Sequence, residues 1–142
     1  MRTATTIVIA GCIFSFATIA LAQAERSESA LWNAIQKLTQ QDRSTATGDA
    51  WYENAREDRL RLLENIRLSQ VLYPGGAHRD ELIALELQAR FEVAIMDNGD
   101  FTALQQRVAE LFRNPVSRFA KEEAAYWQLQ IDSHELTGVS AD

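Results

Sequence analysis

The chain has 142 residues, of which 46% are apolar and 24% charged, with six Gly, two Pro and one Cys, so it is sized for one small domain. Fourteen Lys and Arg against twenty Asp and Glu give a net charge of −6. That balance excludes a global nucleic-acid footprint, which needs an excess of basic side chains over phosphate.

Arg2 provides a short positive start, and Ile7 to Leu21 is an apolar stretch interrupted by small and hydroxyl residues, Gly11, Ser15 and Thr18 among them. Ala22-Gln23-Ala24 then fits the small-x-small rule for signal cleavage, so residues 1–24 read as a secretory signal peptide and residues 25–142 as the domain. The apolar part falls short of the roughly 20 uninterrupted residues a membrane span needs, so no span is expected after signal removal. Ile9-Ala10-Gly11-Cys12 offers a competing reading as a lipoprotein box with Cys12 acylated, but it would leave the apolar residues 13–21 in the mature chain without a purpose. With cleavage after Ala24 the domain keeps 13 basic and 20 acidic residues, a net charge of −7, and no cysteine. Disulfides, thiol catalysis and Cys-bound zinc then disappear together.

The remaining residues favour helix almost throughout, because Ala, Leu, Glu, Gln and Arg dominate and period-2 alternation is rare. The first helix spans residues 29–40, with Leu31, Ile35 and Leu38 on one face beside Trp32. The polar, Ser/Thr/Gly-containing residues 41–49 read as a loop. A second helix, capped by Asp49, carries Trp51, Ala55, Leu62, Ile66 and Tyr73 at helical spacing until Pro74-Gly75-Gly76 stops it. The third covers residues 79–96 and stops at Asp97-Asn98-Gly99. Asp100 is the expected cap of a fourth helix with a single stripe of Phe101, Leu104, Val108, Leu111 and Phe112. Asn114 as cap and Pro115 at the first helical position open a fifth, which runs to about Leu136.

The third helix sets the architecture. At 100° per residue, Ile83, Ala84, Leu87, Phe91, Ala94 and Ile95 fall on one side, while Leu82, Leu85, Ala89, Val93 and Met96 fall nearly opposite. Two polar ribbons divide them, one of Glu81, Gln88 and Glu92 and one of Glu86, Arg90 and Asp97. A helix of this kind belongs between neighbours, whereas the one-sided fourth belongs in an outer layer. The expected fold is therefore all-α, a short stack of antiparallel helical hairpins with about five helices.

From Phe91 to Pro115 the chain resembles a tetratricopeptide-type repeat. Phe91 and Ile95 stand at the large apolar positions of that motif's first helix, and Asn98-Gly99-Asp100-Phe101 resembles its Gly-Asp-Tyr turn. Leu104, Val108 and Leu111 stand at its second-helix core positions before the closing Pro115, which comes one residue early. The motif prefers small residues where this chain has Glu92 and Leu104. Tyr73-Pro74 before Glu81-Leu82-Ile83-Ala84 repeats in register at Asn114-Pro115 before Glu122-Glu123-Ala124-Ala125. This phrasing is similar to tetratricopeptide-like proteins of the bacterial envelope, outer-membrane assembly lipoproteins included, and to helical regions that precede some secreted thioredoxin-like domains. The likeness spans roughly residues 50–136 and implies an extracytoplasmic binding or scaffold role without chemistry of its own.

The candidate sites are few. His78 and His134 lie far apart on different elements and in no metal-ligand spacing; His78 is expected to be a surface or capping residue and His134 a half-buried edge residue beside Val116, Trp127 and Ile131. Asp97 to Asp100 is too short for a calcium loop. No nucleophile elbow, phosphate loop or dinucleotide fingerprint occurs, so neither an enzyme nor a cofactor is expected. Arg59 is a charge in the middle of an apolar stripe. It either snorkels past the core edge or marks a groove, pairing with a partner's carboxylate or with the Glu86 and Asp97 ribbon. Acid-base pairs at helical spacing such as Glu86 with Arg90 and Glu57 with Arg61 are commonly solvated. Trp32, Trp51 and Trp127 suit the core stripes, whereas Tyr52 and Tyr126 lie off them and are the better interface candidates.

The partner-binding set is thus Arg59, Glu86, Arg90, Tyr52 and Tyr126, and the expected partner is a protein or peptide. Phe119, Leu129 and Leu136 lie off the main stripe of the last helix and point to self-association there. The alternatives are a helical accessory region of an extracytoplasmic thioredoxin-like redox system and, last, a small hydrolase.

Overall fold

A computed structural model of the chain describes residues 27–40 and 49–139, with side chains described for 27–40 and 52–137. The expected signal segment with Cys12, the residues 41–48 expected to form a loop and the side chain of Trp51 lie outside the described residues. Among those described, the protein is all-helical: α1 Glu28–Thr39, α2 Asp49–Leu72, α3 Arg79–Met96, α4 Thr102–Arg113 and α5 Arg118–Val139.

Local chemistry explains where the helices begin and end. Ser27 caps α1, its hydroxyl accepting the Ala30 N–H at 3.2 Å. Tyr73 to His78 connects α2 to α3, with Pro74 and the two glycines denying further helix. After α3, Asn98 and Gly99 both take positive φ, 59° and 82°, and the Gly99 N–H returns to the Ala94 carbonyl at 2.8 Å. This left-handed turn suits Asn and Gly better than any residue with a larger or branched side chain. Asp100 does accept the Thr102 N–H, at 3.1 Å, but it stands one residue outside the cap position, which is Phe101. Asn114 and Pro115 do not open the fifth helix. Ser117 does so three residues later, its Oγ accepting the Ala120 N–H at 3.0 Å while its hydroxyl donates to Asp80 at 2.8 Å. Asn114 instead closes α4, its N–H reaching the Glu110 carbonyl at 2.9 Å.

The core is divided by α3. On one side Ile83, Leu87 and Ala94 join Phe101, Leu104, Val108 and Leu111 of the α4 segment and Ala120, Ala124 and Ile131 of α5, with Phe91 and Trp127 packed against them. On the other, Leu82 and Ala89 join Ile35 of α1 and Leu62 and Ile66 of α2, flanked by Trp32, Leu38, Leu63 and Leu85. Of the two faces read from the sequence, Ile83, Leu87 and Ala94 on one and Leu82 and Ala89 on the other are buried, Ala84, Leu85, Phe91, Val93 and Met96 are half-buried and Ile95 is 39% exposed, while Glu86 of a polar ribbon is buried as well. Cross-helix pairs fix α2 antiparallel to α3: Arg56 with Asp97, Arg59 with Glu92 and Gln70 with Glu86. No helix among the described residues is long and apolar enough to cross a membrane.

α1 is fastened to the α2–α3 turn by polar and aromatic contacts as well as by Ile35. The Trp32 and His78 rings stack at 3.9 Å with an interplanar angle of 3°, and Glu28 accepts the Ala77 N–H at 2.8 Å. A Cβ on Gly76 would collide with that Glu28 carboxylate, so glycine leaves the room for the docked acid.

Leu87, fully buried at the centre of α3, should lose roughly 2–5 kcal/mol on truncation to Ala, read as a lower urea midpoint. Trp127→Phe should cost under about 1 kcal/mol in the same assay, because the indole N–H is buried without a hydrogen-bond partner and its removal offsets part of the lost packing.

Candidate functional site

The Glu86, Arg90 and Asp97 ribbon of α3 faces a groove walled by α2 and α4. Both helices pack on α3, and among the described residues neither packs on the other. At its centre Glu86 is only 5% exposed. Its carboxylate accepts from Gln70 Nε2 of α2 at 3.1 Å and from Arg90 Nε at 3.0 Å, and Arg107 Nε of α4 lies 3.0 and 3.1 Å from its two oxygens. Arg107 also donates to Glu110 at 3.2 Å. A buried acid is tolerated only when its lone pairs are occupied this fully, and here the donors come from three helices. The acid thereby ties the two walls to the floor.

Toward the start of α3 the groove opens into a cleft of about 170 Å³. Gln70, Tyr73 and Pro74 line one side, Arg79, Leu82 and Ile83 the floor, and Arg107 and Val116 the other side. Two arginines and no carboxylate stand in this lining, on a chain of net charge −6. Arg107 is committed to Glu86, while the nearest acid to Arg79 is Asp80 at 3.8 Å, which itself accepts from Ser117. Arg79 is therefore the guanidinium best placed to take a carboxylate from outside.

At the other end of the ribbon Arg56 forms a two-pronged pair with Asp97, Nε to Oδ1 at 2.7 Å and Nη2 to Oδ2 at 2.9 Å. Hydrogen bonding from Arg56 holds the Asp97 carboxyl below the ordinary aspartate range, and the same bond keeps Arg56 more firmly protonated. Asp100 is likewise shifted down by its hydrogen bonding to Thr102.

The five candidate residues occupy three places. Glu86 and Arg90 meet in the groove. Arg59 is half-buried on the opposite edge of α3 and pairs with Glu92, so its acid belongs to the other ribbon and not to the Glu86 and Asp97 ribbon. The antiparallel register of α2 on α3 decides this, and Arg59 lines a separate cleft of about 240 Å³ with Thr39, Leu62, Leu85 and Gln88. Tyr52 is exposed near the start of α2, and Tyr126 is exposed on the outer side of α5.

His78 stands at the cap position of α3 with its side chain 36% exposed, where a surface or capping residue is expected, though its ring stacks on Trp32 and makes no side-chain capping hydrogen bond. The other histidine differs from expectation. His134 is exposed, with only ring-edge contacts to Phe91 and Phe101, and Val116 beside it in the expected stripe is 51% exposed. Arg107 and Gln70 are the residues that sequence reasoning missed. Nothing in their local spacing marks them, because they reach Glu86 across 21 and 16 residues. No three His, Cys, Asp or Glu side chains among the described residues converge as a metal cage. Comparison with protein-family models, with curated proteins and with solved structures gives no match.

Replacing Glu86 by Ala should cost roughly 2–4 kcal/mol in urea unfolding, since Arg90 and Arg107 lose their common acceptor and the site loses its tie between layers. The Asp97 contribution has a defined sign. A carboxyl whose folded pKa is depressed stabilises the fold above its unfolded pKa of about 4, and that stability is lost as pH falls through the lower folded value. Unfolding midpoints of Asp97→Asn should therefore fall less between pH 5 and pH 2 (a range of about 3 pH units) than those of the parent chain.

Proposed function

We propose that this chain is an exported protein-binding or scaffold module of the bacterial envelope, a short tetratricopeptide-like stack without a reaction of its own, and that the α2–α4 groove takes a peptide segment of its partner. The observation that carries the reading is the cleft beside Glu86. It sets exposed Val116 across from Arg79 above the buried edges of Leu82 and Ile83, and its walls are tied by Gln70, Glu86 and Arg107. Such a cleft suits a segment that sets an apolar side chain next to a carboxylate, with the charge oriented by guanidinium and the apolar contact supplied by Val116. A rigid floor between two walls also reduces the ordering cost of binding, which is what a recognition groove needs. The outer face of α5 supplies a second surface, considered below.

Export is tested by the processed chain. Expressed in a bacterial host, it should be recovered outside the cytoplasm with Glu25 as its first residue. A chain kept in the cytoplasm at full length contradicts export, and one beginning at a lipid-modified Cys12 replaces cleavage after Ala24 with a lipid anchor. Binding is tested with Arg79→Glu and Val116→Glu in affinity capture from envelope extract. The parent chain should retain one stoichiometric protein, and each variant should hold it at least about 10-fold more weakly, a loss of about 1.4 kcal/mol. Capture that survives both substitutions, or turnover in a broad esterase and phosphatase screen, contradicts the reading.

A further inference from the structure

α5 repeats the property that explains α3. Ala120, Ala124 and Ile131 are fully buried and Trp127 packs beside them, while Tyr126, Leu129 and Leu136 stand on the outer side, 51%, 67% and 72% exposed, and Phe119, 38% exposed, lies on the flank where it lines a cleft with Gly76, Arg79 and Asp80. Among the described residues both apolar faces of α3 are covered, and only one of α5 is. Stacked helical arrays ordinarily close on a polar outer face, so an apolar last face calls for a further layer.

The spacing of that face identifies the layer. Phe119, Glu122, Tyr126, Leu129, Ser133 and Leu136 follow one another at three- and four-residue steps, the seam of a two-helix pairing. Laid antiparallel on itself about a two-fold axis between residues 127 and 128, this seam sets Phe119 over Leu136, Tyr126 over Leu129 and Glu122 over Ser133, each pairing occurring twice. Apolar meets apolar, and the one charge meets a hydroxyl that can donate to it. On the flanks Glu123 meets Gln130 and Ala125 meets Asp132, so no like charges oppose one another. A parallel pairing would instead bury Glu122 against its own copy, which is strongly unfavourable in an apolar seam. Antiparallel helix dipoles add in the same direction.

We propose that α5 is a homodimer interface, in which two copies of this chain pair antiparallel through Phe119, Tyr126, Leu129 and Leu136. Tyr126, Leu129 and Leu136 lie outside the lining of the cleft beside Glu86, so this inference stands whether or not that cleft binds a peptide, although Phe119 shares a neighbouring cleft with Arg79. Pairing would place two grooves on one particle, related by the two-fold axis.

The test uses the full chain with Cys12→Ser, so that introduced cysteines are the only thiols. In sedimentation equilibrium the chain should have twice its monomer mass at micromolar concentration, and Leu129→Glu should raise the dimer dissociation constant at least about 100-fold with unchanged helix content. Under mild oxidation, Glu122→Cys mixed with Ser133→Cys should form a disulfide-linked pair, while Glu122→Cys alone should not, because its two copies lie eleven residues out of register. A monomer at high micromolar concentration, a dimer indifferent to Leu129→Glu, or efficient cross-linking of Glu122→Cys with itself would each overturn the proposal. The cross-linking arm keeps the test decisive if Leu129→Glu fails to fold.

Discussion

A helix that carries large apolar side chains on opposite sides is stable in water only if both sides are covered, and α3 is the helix on which this constraint acts. Leu87 and Ile83 face α4 and α5, whereas Leu82 and Ala89 face α1 and α2. Neither cluster could form without α3, and α3 could not fold against one of them alone without wetting the other face. Burial of each large side chain is worth roughly 1.5–3 kcal/mol, so leaving one face open would consume most of the stability of a domain this size. The other helices are placed by their relation to it.

The polar ribbons follow from the same geometry. Between two apolar faces there are two seams, and each seam is where neighbouring layers come close without merging. One is filled by Arg59 and Glu92, the other by Arg56 with Asp97 and by the Glu86 cluster. Most of these charges keep part of their surface in water and contribute modestly to stability, but they set the register of α2 on α3. Glu86 differs because it is buried, and its three donors from three helices convert a seam into a braced groove. Fold and groove are in that sense one construction.

Helix periodicity made α3 legible, including both of its ends and both buried faces, because those depend on residues close together in the chain. The one-sided stripe of α4 was legible for the same reason. What depended on distant residues was not. Ser117 rather than Asn114 caps α5, with its hydroxyl held by Asp80, 37 residues away, while Asn114 closes α4. The Trp32–His78 stack joins residues 46 apart, and the choice of Glu92 over Asp97 for Arg59 rests on a register that no local pattern encodes. Glu86 and Arg90 were readable as neighbours on one helix, but the Arg107 and Gln70 that turn them into a groove were not.

Native-state hydrogen exchange across the whole chain tests the layered core most directly. If α3 is enclosed on two sides, the central amides of Leu82 to Ala94 exchange only through global unfolding, and their opening free energy equals the stability from urea denaturation, while α1 and the ends of α5 open at lower cost. Exchange of the α3 centre through a local opening as easy as that of α1 would show that one of its faces is not covered, and would contradict the account.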